Sequence, residues 1–128
     1  MKRSVAYTLT LLGLLVAGCR ETGINNGSIC TTEARAGIQI NIRDALTGQP
    51  AANGATVIAQ HNTYIDTLRG FPLADSLTVT GAYERPGIYT IVITKSGYID
   101  WIRPDVVVNR DECHVITVQL EARLERVP

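Results

Sequence analysis

The chain is 128 residues long, 45% hydrophobic but only 5% aromatic, and it sets twelve Lys and Arg against twelve Asp and Glu. That length holds about one domain, and a chain with no basic excess has neither a nucleic-acid-binding surface nor a polybasic membrane patch. Its only histidines are His61 and His114 and its only cysteines Cys19, Cys30 and Cys113, a small stock for metal or nucleophilic chemistry.

The first element is a leader. Lys2 and Arg3 form a positive start, and Val5 to Val16 form an apolar run of about a dozen residues. A spanning helix needs roughly 20 residues, so the run fits a signal peptide. It ends Val16-Ala17-Gly18-Cys19-Arg20, which resembles the lipobox of bacterial lipoproteins. The resemblance implies cleavage after residue 18, a diacylglyceryl group on the Cys19 Sγ, and acylation of the new amine with chains of the palmitate type. Two or more buried chains make such an anchor stable where one holds only marginally. An ordinary secreted protein with a chance cysteine at the cleavage region is the alternative. The expected address is the bacterial cell envelope. Arg20 stands where some such proteins carry an inner-membrane retention aspartate, which favours the outer membrane, on its periplasmic or surface face.

Residues 19–29, rich in Gly, Asn and Ser after the cysteine, read as a flexible tether. With the leader removed, ten basic residues face twelve acidic ones. From residue 30 to 124 no helical period emerges; short alternating runs separated by turn residues predict about seven strands in one β-sandwich. In "GIQINIR", Ile38, Ile40 and Ile42 share one face, and "DALTGQP" ends that strand. "GATVIAQ" and "TYIDTLR" are the next strands, with His61 at the exposed turn between them. "GFPLAD", Gly70 to Asp75, is a loop because Pro72 cannot donate to a ladder. "SLTVTGAY" resumes with Leu77 and Val79 inward. Ile88 to Thr94 is a β-branched central strand. Tyr98 to Ile102 follows, Pro104 interrupts, and "DVVVN" is a short strand of its own. "CHVITVQLEARL" is the last, with Ile116, Val118 and Leu120 inward and His114 in the same phase. Residues 125–128 form a C-terminal tail.

Cys19 being assigned to lipid, Cys30 and Cys113 remain as an even pair in an exported chain, which favours a structural disulfide. A reactive thiol or a Cys/His metal site using His114 are the alternatives at this point.

"GIQINIRDALTGQPAANGATVIA" resembles the first two strands of carboxypeptidase regulatory-like domains, whose pattern is an alternating strand, an Asp, "TG.P" and a small-residue-flanked "A.V". "PGIYTIVITKSGY" is similar to their later "G.Y" and "GY" hairpin, here Gly87, Tyr89, Gly97 and Tyr98. The resemblance covers residues 36–122 and implies an Ig-like or transthyretin-like β-sandwich of about seven strands, an accessory module with no active site of its own. It also implies a cysteine tying the last strand to the segment before the first. On physical grounds, Gly48 and Gly97 suit turn positions with positive φ, and Tyr89 and Tyr98 can bury a ring while the hydroxyl reaches a backbone acceptor.

Enzymatic signatures are missing. A zinc carboxypeptidase needs H-x-x-E-type spacing, a transthyretin-like hydroxyisourate hydrolase needs several His and Arg and a different C-terminus from "LERVP", and no G-x-S-x-G elbow surrounds Ser76 or Ser96. No catalytic residue, metal or cofactor is therefore assigned. His114 reads as a hydrogen-bonded structural histidine, and Asp100, Asp105 and Asp111 as loop aspartates rather than a calcium loop. Trp101, Tyr98 and Tyr64 are the candidate contacts for a ligand or partner, Trp101 being weighed between core and surface. The expectation is a non-enzymatic, membrane-anchored structural or protein-interaction module. The alternatives are a carbohydrate- or cell-wall-binding module using those aromatics and, third, a small hydrolase.

Overall fold

The computed structural model describes residues 27–70 and 77–128. The leader, Cys19, the start of the tether and most of the Gly70–Asp75 loop lie outside the described residues.

Seven strands form two sheets, and no helix occurs among the described residues. They are β1 (Ile38–Asp44), β2 (Thr56–His61), β3 (Tyr64–Leu68), β4 (Thr78–Gly81), β5 (Gly87–Thr94), β6 (Trp101–Val108) and β7 (Val118–Leu124). One sheet has the order β4-β1-β7 and the other β3-β2-β5-β6. Pairing is antiparallel except between β1 and β7, which run parallel with Ile38 opposite Val118 and Asp44 opposite Leu124. This is the all-β sandwich that the alternation predicts.

Period-two patterning explains the core. Ile38, Ile40 and Ile42 on β1 and Tyr89, Ile91 and Ile93 on β5 are fully buried, and they meet Val57 and Ala59 of β2 and Ala122 and Leu124 of β7. Because side chains alternate across a strand, each run presents one apolar face, and two sheets cover those faces by packing together. Each buried Ile contributes about 1.5–3 kcal/mol by leaving water.

Two strand boundaries differ from the sequence reading. Pro104 does not split the Trp101 segment from "DVVVN": β6 runs continuously from Trp101 to Val108. Tyr89 faces Val106 and Ile91 faces Arg103, so Pro104 and Asp105 together oppose Thr90 in a β-bulge. Asp105 takes φ 56° there. β6 is the sheet's edge, where a proline's missing N–H breaks no ladder.

The last strand starts at Val118 rather than Cys113. Arg110 pairs with Val115, and Ile116 N–H donates to the Asn109 carbonyl, so residues 109–117 fold back as a loop. Within β7 the expected phase holds, with Val118, Leu120, Ala122 and Leu124 on one face, but Ile116 precedes the strand, in the loop. Ile116, expected inside, is 54% exposed, Val118 and Leu120 are half-buried, and the core positions of β7 are Ala122 and Leu124. Leu77 is half-buried and Val79 buried.

Candidate functional site

The sandwich has two poles, and the candidate residues divide between them. At the proximal pole, where the tether enters, lie residues 28–37, the 82–87 connection, the 109–117 loop and the β2–β3 turn. At the distal pole lie the 44–55 loop, the 95–100 turn and the C-terminal residues.

The disulfide closes the proximal pole. Cys30 and Cys113 are bonded, with Cα atoms 5.1 Å apart. Cys113 sits in the loop before β7, not in the strand itself. Asp111 Oδ1 shapes that loop by accepting the N–H groups of Cys113 and His114, both at 2.8 Å. Beside the bond, His114 is 94% buried, its Nδ1–H donating to Glu84 Oε1 at 2.8 Å and its Nε2 lying 3.0 Å from Thr31 Oγ1. Glu84 also accepts the backbone N–H groups of Arg35 and Val115. The Arg35 N–H, followed by the imidazole, holds the Glu84 carboxyl below its usual range, and the His114 and Cys113 N–H groups do the same for Asp111. A single carboxylate thus fastens the N-terminal segment to the loop before β7.

Carboxylate, imidazole and hydroxyl in this order are also the arrangement of a nucleophilic triad. The electrostatics favour the structural reading. The open depression of about 350 Å³ beside Thr31 is lined by Asp111 and Glu112 against one cation, Arg35. Acyl transfer develops negative charge on oxygen and needs donors converging on it, and two carboxylates oppose that charge.

Asp44 organises the distal pole. It ends β1 only 3% exposed. Oδ1 accepts the N–H groups of Leu46 and Thr47, and Oδ2 accepts the Tyr98 hydroxyl and the Arg126 Nε–H, all at 2.8–2.9 Å. Gly48 donates its N–H to the Asp44 carbonyl at φ 72°, which a Cβ would penalise. Gly97 likewise turns the chain at φ 82°. Tyr98 therefore reaches a side-chain carboxylate where a backbone acceptor was expected, whereas Tyr89 does donate to a backbone oxygen, that of Arg85, at 2.9 Å. The tail also docks here. Ile99 N–H donates to the Glu125 carbonyl and Val127 N–H to the Gly97 carbonyl. Sequence reasoning missed Arg126.

Asp44 makes stability pH-dependent. The Thr47 N–H, then Tyr98 and Arg126, hold its carboxyl well below the ordinary carboxylate range. A depressed pKa means that the unfolded chain binds the extra proton, so stability rises with pH between the folded and unfolded values. This contribution is complete above the unfolded carboxyl pKa of about 4 and is lost as pH falls toward the folded value. Glu84 and Asp111 act in the same direction. The thermal midpoint should be flat from neutrality to about pH 5 and fall below about pH 4. Asp44→Asn should lower the midpoint at pH 7 and make the acid slope shallower. Equal slopes for the two proteins would remove Asp44 from this role.

The three aromatic candidates do not form one platform. Tyr64 is at the proximal pole, edge-on to Tyr89 at 6.4 Å, with the Arg85 guanidinium 3.9 Å above its ring. Trp101 opposes Ile93 at the far end of β5 and, like Tyr98, is partly buried against the core. His61, opposite Tyr64, bonds the Ile88 carbonyl, so the two sites are five β5 residues apart, roughly 16 Å at strand rise. His61 is also not the free turn residue expected: it ends β2 half-buried, its ring 5.5 Å from that of Tyr89. Among the described residues, no group of three or more His, Cys, Asp or Glu side chains converges on a point that could hold a metal. No family model and no curated protein matches the chain, so its own residues carry the functional reading.

Proposed function

We propose that this protein is a lipid-anchored envelope lipoprotein whose body is a non-enzymatic β-sandwich serving as a structural or protein-interaction module. The observation that carries this is the Cys30–Cys113 bond. It engages both cysteines of the body, leaving Cys19 as the one thiol outside it, and such bonds persist in oxidising compartments outside the cytosol. The bond also fixes the chain directly after the tether to one pole, so an anchored body stands with its Asp44 pole away from the lipid.

The carboxypeptidase regulatory-like resemblance gains a physical rationale. Its two halves, the Asp and "TG.P" of residues 44–50 and the "GY" of Gly97 and Tyr98, are joined by the Asp44–Tyr98 hydrogen bond across 54 residues. The motif residues thus act in turn and pole architecture, which supports an accessory module. The separation of Tyr64 from Trp101 and Tyr98 weakens the glycan-binding alternative, since sugar stacking draws on aromatics that face one ligand.

The anchor is tested at Cys19. The native protein should partition into detergent, and mass spectrometry should find its N-terminal residue to be Cys19 carrying a diacylglyceryl thioether. Cys19→Ser should yield an unprocessed or soluble chain. An unmodified Cys19 in the native protein would refute the anchor.

A further inference from the structure

β7 is bonded to a neighbour along one side only. Val118 N–H donates to the Gly37 carbonyl, and the Leu124 carbonyl accepts the Ala45 N–H, so the even residues of β7 face β1. Backbone groups alternate sides along a strand, which turns those of Gln119, Glu121 and Arg123 away from β1. Among the described residues nothing pairs with them there. Further along, the same side is filled. Ile99 N–H donates to the Glu125 carbonyl, Val127 N–H donates to the Gly97 carbonyl, and Tyr98 bridges antiparallel to Arg126. Residues 97–99 thus begin a fourth strand line beside β7, but the chain leaves it at Asp100 and enters the other sheet as β6. The open edge shows in the packing. Ile38 and Ile40 are fully buried, whereas Val118 and Leu120, opposite them on β7, are only half-buried.

Where that line breaks off lies a depression of about 200 Å³. Ile99, Trp101 and Ile102 give it apolar walls, and Asp100 and Glu125 give it negative charge. Arg123 also lines it but is held by Glu121 at 2.7 Å. The nearby cations are engaged elsewhere, Arg126 on Asp44 and Lys95 on the carbonyls of Ala51 and Asn53. The side chains of Asp100 and Glu125 have no hydrogen-bond or ion-pair partner among the described residues.

We propose that this edge receives an extended segment of a partner protein, which adds to β7 as a strand and sets a Lys or Arg side chain in the Trp101 depression. In such additions main-chain bonds supply affinity and a side-chain pocket supplies specificity. Charge selects the occupant. A long basic side chain lays its apolar stem along Trp101 and the isoleucines and brings its head to two carboxylates; an acidic one meets like charge. A second copy of β7 fits poorly. Antiparallel pairing that sets Glu121 against Arg123 puts Gln119 opposite Glu125, where residues 97–99 already lie. Pairing that avoids this by one step sets Glu121 against Glu121, which is repulsive. The proposal rests on the interaction-module reading and names its surface and the chemistry of its partner.

Trp101 is the only tryptophan, so its fluorescence reports on the depression. The full chain in mild detergent is titrated with a capped peptide of alternating Thr and Val carrying one Arg at its N-terminal end. Emission should change saturably, with a dissociation constant on the order of 1 mM or below. Two twins, one with Glu in place of Arg and one with alternate backbone nitrogens methylated, should bind at least about tenfold more weakly. The double variant Asp100→Asn, Glu125→Gln, shown to be folded by its thermal midpoint, should bind the Arg peptide no better than the Glu twin. Should that variant fail to fold, the twins make the test on the wild-type chain alone. The proposal is overturned by unchanged emission up to about 10 mM peptide, by either twin binding as well as the Arg peptide, or by undiminished binding in the folded double variant. An emission change that grows with protein concentration alone, the mark of a second copy, overturns it too. None of these outcomes touches the anchor, which stands or falls with the modification of Cys19.

Discussion

Replacing both Cys30 and Cys113 with serine is expected to cost about 2–5 kcal/mol of folding stability. The bond joins residues 83 apart in sequence, and on the chain-entropy account closing so long a loop restricts the unfolded ensemble by about 4–5 kcal/mol. In the folded state the bond presses the exposed segment 28–36 onto the loop before β7. Without it, that segment is held by the Thr31–His114 contact, the Glu84 bonds and the Thr117 hydroxyl on the Ala36 carbonyl. The double variant avoids leaving one free thiol. For a domain of this size the thermal midpoint should drop by roughly 4–8 °C for each kcal/mol lost. Chemical denaturation of wild type with and without reductant gives an independent measure. If both measurements left the midpoint where it is in the oxidised protein, the bond would be ornamental and the pole would be held by those hydrogen bonds.

The sandwich was legible because β1 and β5 keep strict period two over seven and eight residues. Their phase identifies Ile38, Ile40, Ile42, Ile91 and Ile93 as core without any knowledge of partners. β6 was not legible, because the meaning of Pro104 depends on whether its strand lies inside a sheet or at its edge. That is a property of the topology, not of the local sequence. The start of β7 failed for a related reason. "CHVITVQL" alternates from Cys113 onward, but the Asp111 carboxylate turns the backbone at Cys113 and His114, and alternation has a phase only where the chain is extended.

Of the candidate site, the pairing of Cys30 with Cys113 was legible by counting, while His114 is a hydrogen-bonded histidine as expected but through the loop that buries it beside Val115 rather than through strand phase. Its partner Glu84 was not legible, since nothing in "AYERPG" marks a residue 30 positions away as its acceptor. Asp44 carried a signal in "DALTG", where an Asp precedes a Thr-Gly turn and can accept the turn's N–H groups. Tyr98 and Arg126 could not be added from sequence, being 54 and 82 residues distant. Trp101, Tyr98 and Tyr64 could not be grouped from sequence, because Tyr64 starts β3 at one pole while Trp101 starts β6 at the other, and which end of the sandwich each strand starts from is set by the topology.

Ile40→Ala should be among the most damaging substitutions in the body, at about 2–5 kcal/mol. Ile40 is fully buried at the centre of β1, between Val79 on β4 and Leu120 on β7, and it faces the other sheet. Truncation removes three carbons from the core and leaves a cavity that paired β1 cannot collapse to fill, since its backbone is bonded on both sides. Val118→Ala should cost less, under about 1.5 kcal/mol, because Val118 is half-buried at the rim and its smaller deletion opens toward solvent. Gln119→Ala, pointing outward from β7, should stay within about 0.5 kcal/mol. Asn41 is a poorer control, since its Oδ1 accepts the Thr78 hydroxyl at 2.8 Å. Urea unfolding of the four proteins ranks them directly, with an unchanged m-value required for the comparison. A Gln119 variant as destabilised as Ile40→Ala would mean that β7 is registered one residue differently against β1, turning its other face to the core.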